Sequence, residues 1–232
     1  MRSIYLMALC LNLLPGLADS APAENSTAEI TNQFASLFQE QFRCASLPEL
    51  LQPLLKRQQG LGFEVAFKEE KRIQLLKRPL RSTGELVFLP DKGLYRKLTQ
   101  PFQQELIVNR DFILQRDDDG KITRMATDKQ PAARAFIENF LALFSGSWPA
   151  LTERFEVNFA ATSKGWQLGL RPKHPIMAKI ISAIVIEGQG EQLDRLWVIE
   201  ANGDLTVDDY LQPRFLTAEE ARERLPLFQW LK

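Results

Sequence analysis

From Gly62 onward the apolar residues of this chain recur at every second position, in one short run after another. Phe63, Val65 and Phe67 alternate with Glu64, Ala66 and Lys68, and the alternation resumes at Ile73 and Leu75. A period of two is the signature of a strand with one buried face. Further runs follow at 84–89, 94–99, 105–108, 112–116 and 122–126, broken by Pro90-Asp91-Lys92-Gly93, Pro101, Asn109-Arg110-Asp111 and Asp117-Asp118-Asp119-Gly120. Strands about ten residues apart with short turns between them form an antiparallel meander. A second series begins with Phe155, Val157 and Phe159, continues with Trp166, Leu168 and Leu170, and runs on through 179–187, 194–200 and 205–210.

Helical periods flank and divide the two series. Ser26-Thr27-Ala28-Glu29 is a capping box, and behind it Ile30, Phe34, Leu37, Phe38 and Phe42 share one helical face. Ser46-Leu47-Pro48-Glu49 opens a second helix carrying Leu50, Leu51, Leu54 and Leu55, which ends at Gln59-Gly60. Between the meanders, 131–144 concentrates Phe136, Phe140, Leu141, Leu143 and Phe144 on one side, and a capped helix from Thr217 closes the chain before Pro226. No low-complexity linker separates the halves, so about eleven strands are expected to build one strongly curved, unclosed antiparallel barrel. Helices would cover its concave face as a lid, and such a fold leaves an interior cavity.

The N-terminus carries an address. Arg2, an apolar run from Ile4 to Leu14, Pro15-Gly16 and small-residue exits at Ala18 and at Ala21-Pro22-Ala23 form a secretory signal. The apolar run is shorter than the roughly 20 residues that span a bilayer. Cleavage after Ala18 or Ala23 is expected, leaving 24–232 as a single domain that works outside the cytoplasm. Lysines and arginines balance aspartates and glutamates at 29 each. That neutrality argues against nucleic acid as a partner and against tight docking on anionic lipid. Cys10 lies in the leader without a lipoprotein processing context, which leaves Cys44 alone and no intramolecular disulfide. We expect a monomer.

Catalytic patterns are missing where they would be sought. His174, the only histidine, sits between Lys173 and Pro175 in a charged turn; no Gly-x-Ser-x-Gly elbow and no metal-ligand spacing is present. The Asp117-Asp118-Asp119-Gly120 run lacks the glutamate at loop position twelve, where Asp128 stands, and reads as a hairpin tip. Asp208 and Asp209 alternate onto opposite faces and are no ready acid/base pair. Glu69, Lys71 and Glu187 are the charges whose phase would take them inside. The fifteen phenylalanines against three tyrosines suit an ordinary core and equally the wall of a lipid-binding cavity.

Three segments resemble one family. Gly84-Glu85-Leu86-Val87-Phe88-Leu89-Pro90, then Leu94-Tyr95-Arg96-Lys97-Leu98-Thr99-Gln100-Pro101, then Leu106-Ile107-Val108 are similar in order and spacing to the outer-membrane lipoprotein carriers (LolA-like). Trp166-Gln167-Leu168-Gly169-Leu170-Arg171-Pro172 and the hairpin from Ile199-Glu200 to Asp204 add to the likeness, which covers roughly 29–210. The resemblance implies an unclosed barrel with a helical lid and a non-catalytic periplasmic carrier without cofactor. Its partners would be a lipoprotein or other acylated cargo, an inner-membrane donor and an outer-membrane acceptor. Cargo would meet Phe63, Val65, Phe67, Leu86, Phe88, Leu98, Trp166 and Leu168, under a lid of Phe34, Phe38, Phe140, Leu141 and Phe144. Val87 and Leu89 could equally face inward. The family's principal carriers have an arginine before the first proline, helping to hold the lid; here that position is Leu89, which points to a divergent carrier with a different lipid or pigment-lipid cargo. The alternatives are an interaction module with a filled core, or an enzyme acting on a lipid inside the cavity.

Overall fold

A computed structural model describes residues 32–127 and 131–230, without the side chains of 131–133 and 136. The leader with both cleavage positions, the Ser26 capping box and the Phe136 side chain lie outside the described residues. Eleven strands form one antiparallel sheet: β1 (Phe63–Arg72), β2 (Leu80–Leu89), β3 (Gly93–Gln100), β4 (Gln104–Val108), β5 (Phe112–Arg116), β6 (Ile122–Ala126), β7 (Phe155–Thr162), β8 (Gly165–Pro172), β9 (Ile181–Gln189), β10 (Gln192–Glu200) and β11 (Leu205–Phe215). Their order is β6-β5-β4-β3-β2-β1-β11-β10-β9-β8-β7. Every neighbour is sequential except β1 and β11, so each meander folds from local hairpins and one long-range pairing welds them. Phe67 faces Tyr210, and Glu69 faces Asp208, across that seam. The edge strands β6 and β7 do not pair, so the barrel stays open as expected.

That topology explains where the cover lies. The chain leaves β6 at one edge and must re-enter at β7, the other edge. It crosses by α2 (Pro131–Phe144) and α3 (Trp148–Arg154), and α2, with 14 residues, is about 21 Å long. Its Ile137, Leu143 and Phe144 join one apolar core with strand residues from both meanders, together with Leu51, Leu54 and Leu55 from the α1 region (α1, Gln52–Gln58) and Met177 from α4 (Pro175–Ala178). We call this helix-covered side the inner face. Among the described residues no helix is long and apolar enough to cross a membrane.

The outer face holds two separate apolar clusters, each closed by a terminal segment. Phe34 and Leu37 pack on Ala183, Val185, Trp197, Ile199, Leu205 and Val207. Leu225, Leu227, Phe228 and Trp230, which follow α5 (Ala218–Arg224), pack on Val87, Leu89, Tyr95, Ile107 and Leu114. Over its described part the expected helix through 30–42 is helical only at 32–33 and in a short 3-10 turn, Glu40–Phe42. Leu37 N donates to Phe34 O at 3.0 Å, Gln39 N to Ser36 O at 3.2 Å and Phe42 N to Gln39 O at 3.0 Å. This three-residue repeat stacks Phe34 over Leu37 on one side, and it brings the chain to a bridge between Arg43 and Asn158 on β7.

Candidate functional site

Alternation along the strands supplies the floor of the inner face. Leu86, Leu94, Leu106 and Val108 come from the first meander, Ile181, Ile184, Leu196 and Val198 from the second. Phe140, Leu143 and Phe144 of α2 close over them, leaving a narrow void of about 40 Å³. That space admits about three water molecules, so the cover is shut. A second void of about 20 Å³ lies beside it, between Phe63, Val65, Leu54 and Phe215. Phe144 and Tyr210 line both. Phe144 is held by aromatic neighbours, its ring centroid 5.9 Å from Phe63, 6.1 Å from Phe88 and 5.2 Å from Phe140. Phe144 is thus a wall shared by the two spaces.

One end of the larger void is polar. Arg96, Asp208 and Tyr210 line it, and all three are buried. The Arg96 guanidinium lies 4.2 Å above the Phe67 ring, and its Nη2 donates to Glu69 Oε2 at 2.6 Å. Ser82 Oγ donates to the other oxygen of Glu69 at 2.9 Å. Gly84 makes room for this stack: a Cβ there would meet Phe67 Cζ at 2.7 Å and the Lys97 carbonyl oxygen at 2.1 Å. Further along β1, Lys71 Nζ approaches Glu200 Oε1 at 3.3 Å. The inner face thus carries three carboxylates (Glu69, Glu200 and Asp208) against two cations (Arg96 and Lys71).

Asp208 is the carboxylate with the weakest support. Arg96 Nη2 stands 3.7 Å from its Oδ1, and that oxygen makes no hydrogen bond. Burial, reinforced by the nearby Glu69 charge, pushes its carboxyl up to about 7. Burial also pushes the Tyr210 phenol well above its ordinary range, with Asp208 adding to the effect, so Tyr210 is a neutral donor. Burial opposes the charge on Arg96, but Glu69 and Asp208 outweigh it and hold the guanidinium above its usual value. Chemically this is a fixed positive charge beside an acid that titrates near neutrality, set into an apolar wall.

Of the residues expected from sequence, Leu86, Phe140 and Phe144 line the larger void and Phe63 and Val65 the smaller. Phe67, Phe88, Leu98, Trp166 and Leu168 belong to the same inner core. Leu141 packs against that core and borders the charged rim with Arg134, Glu138 and Arg154. Phe34 and Phe38 do not join the cover. Phe34 sits edge-on to Trp197, with centroids 5.3 Å apart, and Phe38 lies under Arg171 on the outer face. Val87 and Leu89 also point outward, beneath the C-terminal segment. Glu69 and Lys71 are inside as their phase required. Glu187 is outside, accepting from Gln167 Nε2 at 2.9 Å and Trp197 Nε1 at 2.7 Å.

Residues missed from sequence are Arg96, Asp208, Tyr210 and Leu143, with Leu94 of β3 and the void-lining apolar positions of β4, β9 and β10. The same alternation that selected Leu86 and Phe88 would have found Arg96 between Leu94 and Leu98, had charge not led attention away. His174 caps α4, its Nδ1 accepting from Ile176 N at 3.2 Å, far in role from any hydrolytic pairing. Burial pushes the Cys44 thiol up, and its Sγ donates to Ser46 O at 2.8 Å. Among the described residues no group of acidic, histidine or cysteine side chains is arranged to hold a metal.

The family profile of LolA-like outer membrane lipoprotein carrier proteins matches residues 48–216. Similar solved structures include a LolA superfamily protein from Nitrosomonas europaea, at 7% identity and a TM-score of 0.37, covering 72% of this chain and 93% of that one. They also include Pseudomonas aeruginosa MucB in its complex with MucA, at 12% identity and a TM-score of 0.40, covering 75% of this chain and 59% of that one. No curated protein sequence gives a significant match. With well over half of its length matched by the profile, the chain belongs to the LolA-like family of outer membrane lipoprotein carrier proteins.

Proposed function

We propose that this protein is a soluble periplasmic carrier that takes an acylated or otherwise hydrophobic cargo between the inner face of its sheet and α2. It would ferry that cargo from an inner-membrane donor to an outer-membrane acceptor without covalent chemistry. The observation that carries this reading is the apolar void under Phe140, Leu143 and Phe144, in a chain of this family. Ligand pockets commonly measure 300–1,000 Å³, far more than the closed void, so loading requires α2 to lift or Phe144 to swing out. Burial of an alkyl chain then supplies about 25 cal/mol per Å² before ordering costs. The basic start and small-residue exits of the leader support export. Native mass spectrometry and lipid extraction of the protein from its host's periplasm test this reading. An acylated or similarly apolar species that co-purifies, and is lost in Phe144→Asp, is the expected result. Protein free of any apolar molecule overturns it.

A second reading is an interaction module of an envelope assembly. The small size of the closed void favours it, because a nearly filled core needs no cargo. Stable co-purification with a protein partner, and with no lipid, would establish it in place of the carrier.

A further inference from the structure

We infer that the polar end of the larger void is a binding site for a hydroxyl group, so that the molecule seated under α2 is an apolar chain bearing a hydroxyl. This rests on the carrier reading and narrows its cargo. Among the residues lining the void, only Arg96, Asp208 and Tyr210 are polar. Two of them are buried and unsatisfied: Asp208, 9% exposed, has no hydrogen bond at Oδ1, and Tyr210, 7% exposed, has none at its hydroxyl. Folded proteins pair nearly all such groups, and leaving one unpaired is destabilising. Here two stand on the same face of β11, two residues apart, at the wall of one space.

The pair selects its ligand by donor and acceptor count. Asp208 supplies an acceptor and Tyr210, a neutral phenol, supplies a donor. A hydroxyl gives one hydrogen and accepts another, so it answers both at once. An ammonium has three donors and no acceptor, which leaves the Tyr210 hydrogen without a place to go and sets a second cation near Arg96. A carboxylate answers Asp208 only when that acid carries its proton, whereas a hydroxyl answers it in either state, and a carboxylate also adds a negative charge beside Asp208 and Glu69. A bare hydrocarbon would exclude water from both groups and satisfy neither. Of the other polar groups near the void, Ser82 bonds Glu69, Glu69 bonds Arg96, Lys71 lies close to Glu200, and Arg96 approaches Asp208 Oδ1 only to 3.7 Å. Asp208 and Tyr210 are left facing the apolar space.

The test uses the exported protein loaded with the apolar fluorophore N-phenyl-1-naphthylamine, and compares displacement by decan-1-ol, decyl methyl ether, decylamine and decanoate. The ether keeps the oxygen and loses the hydrogen. Decan-1-ol should displace the fluorophore at concentrations about tenfold lower than the ether, the difference of one satisfied buried group. Asp208→Leu should bring alcohol and ether to within about twofold, with Tyr210→Phe intermediate, while circular dichroism confirms that each variant is folded. Because the wild-type comparison needs no variant, misfolding of either one leaves the test intact. Equal potency of alcohol and ether in the wild type overturns the inference while leaving the carrier reading standing, as does decylamine outcompeting the alcohol. If neither the fluorophore nor any of the four chains binds, the carrier reading itself falls, and this inference with it.

Discussion

The two faces of the one sheet solve the same burial problem in opposite ways. On the outer face, Phe34 and Leu37 cover the Trp197 cluster, and Phe228 and Trp230 cover Tyr95, in two packed units. On the inner face the cover is a helix strung between sheet edges, the core contains a void, and four charged groups (Glu69, Lys71, Arg96 and Asp208) are buried on it. Close packing makes interiors as dense as organic crystals, so a void lined partly by unpaired polar atoms is a departure that stability alone does not favour. The inner face has the larger core, joining strands of both meanders, and it is this core that contains the void; the smaller outer clusters are each closed by a terminal segment.

Breaking the inner ionic cluster is expected to have the largest effect. Arg96→Met removes the hydrogen-bonded partner of Glu69 and the nearest cation shown for Asp208. Removing one member of a buried pair costs about 3–5 kcal/mol, because the other charge is left uncompensated. Urea unfolding should show that loss. Restoring it with a second change, Glu69→Leu, would demonstrate that the penalty is electrostatic and not a matter of lost volume.

Next come two phenylalanines with nearly equal burial and opposite duties. Phe34 and Phe144 are 2% and 3% exposed. Truncation of a buried phenylalanine to alanine costs about 3 kcal/mol or somewhat more. Phe34→Ala should show that loss in unfolding and leave the affinity for an apolar fluorophore unchanged. Phe144→Ala should lose less, since its ring already borders two voids, and should bind the fluorophore more tightly because the spaces it separates become one. If Phe34→Ala altered binding as much as Phe144→Ala, the division of labour between the faces would be wrong.

The contrast between these two residues marks how far the sequence could be read. Period-two alternation placed every strand and gave β5 and β6 to the residue, but it missed the start of β2 and the end of β11 and carried β1 past Arg72 to Ile73 and Leu75; it sent Glu69, Lys71 and Leu86 inward. Amphipathic spacing at Phe34 and Phe38 showed that they must be buried, but an apolar stripe carries no label for which face of a sheet will receive it. The deciding contact is Trp197, more than 160 positions away, and only the assembled sheet places it. The same limit hid Asp208 and Tyr210: alternation separated Asp208 from Asp209, but which of the two faces inward depends on the seam with β1, and the void in front of it on where α2 lands.

The faces should also respond to pH with opposite sign. Inside, the carboxyl of Asp208 is pushed up to about 7, above its unfolded value of about 3.9. The folded state then holds a proton that the unfolded state releases, so stability falls as pH rises from about 4 to about 7 and levels off beyond. Outside, Glu64 lies between Arg214 and Arg224, at 2.5 Å and 2.8 Å. Burial opposes its charge, but the two arginines outweigh burial and hold the carboxyl below its usual range. The Thr217 backbone N–H and Arg214 hold Glu220 at about 2. Those contributions are present above about pH 4.3 and are lost as pH falls. Urea midpoints measured from pH 3 to 8 should pass through a maximum. Asp208→Asn should remove the decline on its alkaline side, and Glu64→Gln should soften the acid side.

The smallest effect concerns how the outer cover is delivered. Thr217 Oγ1 accepts from Glu220 N at 3.3 Å, while Glu220 Oε2 accepts from Thr217 N at 2.8 Å, a complete capping box at the start of α5. The helix has no buried residue of its own, so it contributes few packing contacts directly. Its role is to fix the direction of the chain that follows, so that Phe228 and Trp230 meet Tyr95 with ring centroids 6.1 Å and 6.2 Å away. Thr217→Ala should therefore cost about 1 kcal/mol, the usual loss for an N-cap. The more telling readout is local. Hydrogen exchange should accelerate at the amides of 225–230 with little change under α2, because fraying α5 loosens the outer cluster and leaves the inner cover tied to both sheet edges. Equal acceleration on the inner face would show that the two covers are one cooperative unit, and that the void is held open by the whole molecule and not by α2 alone.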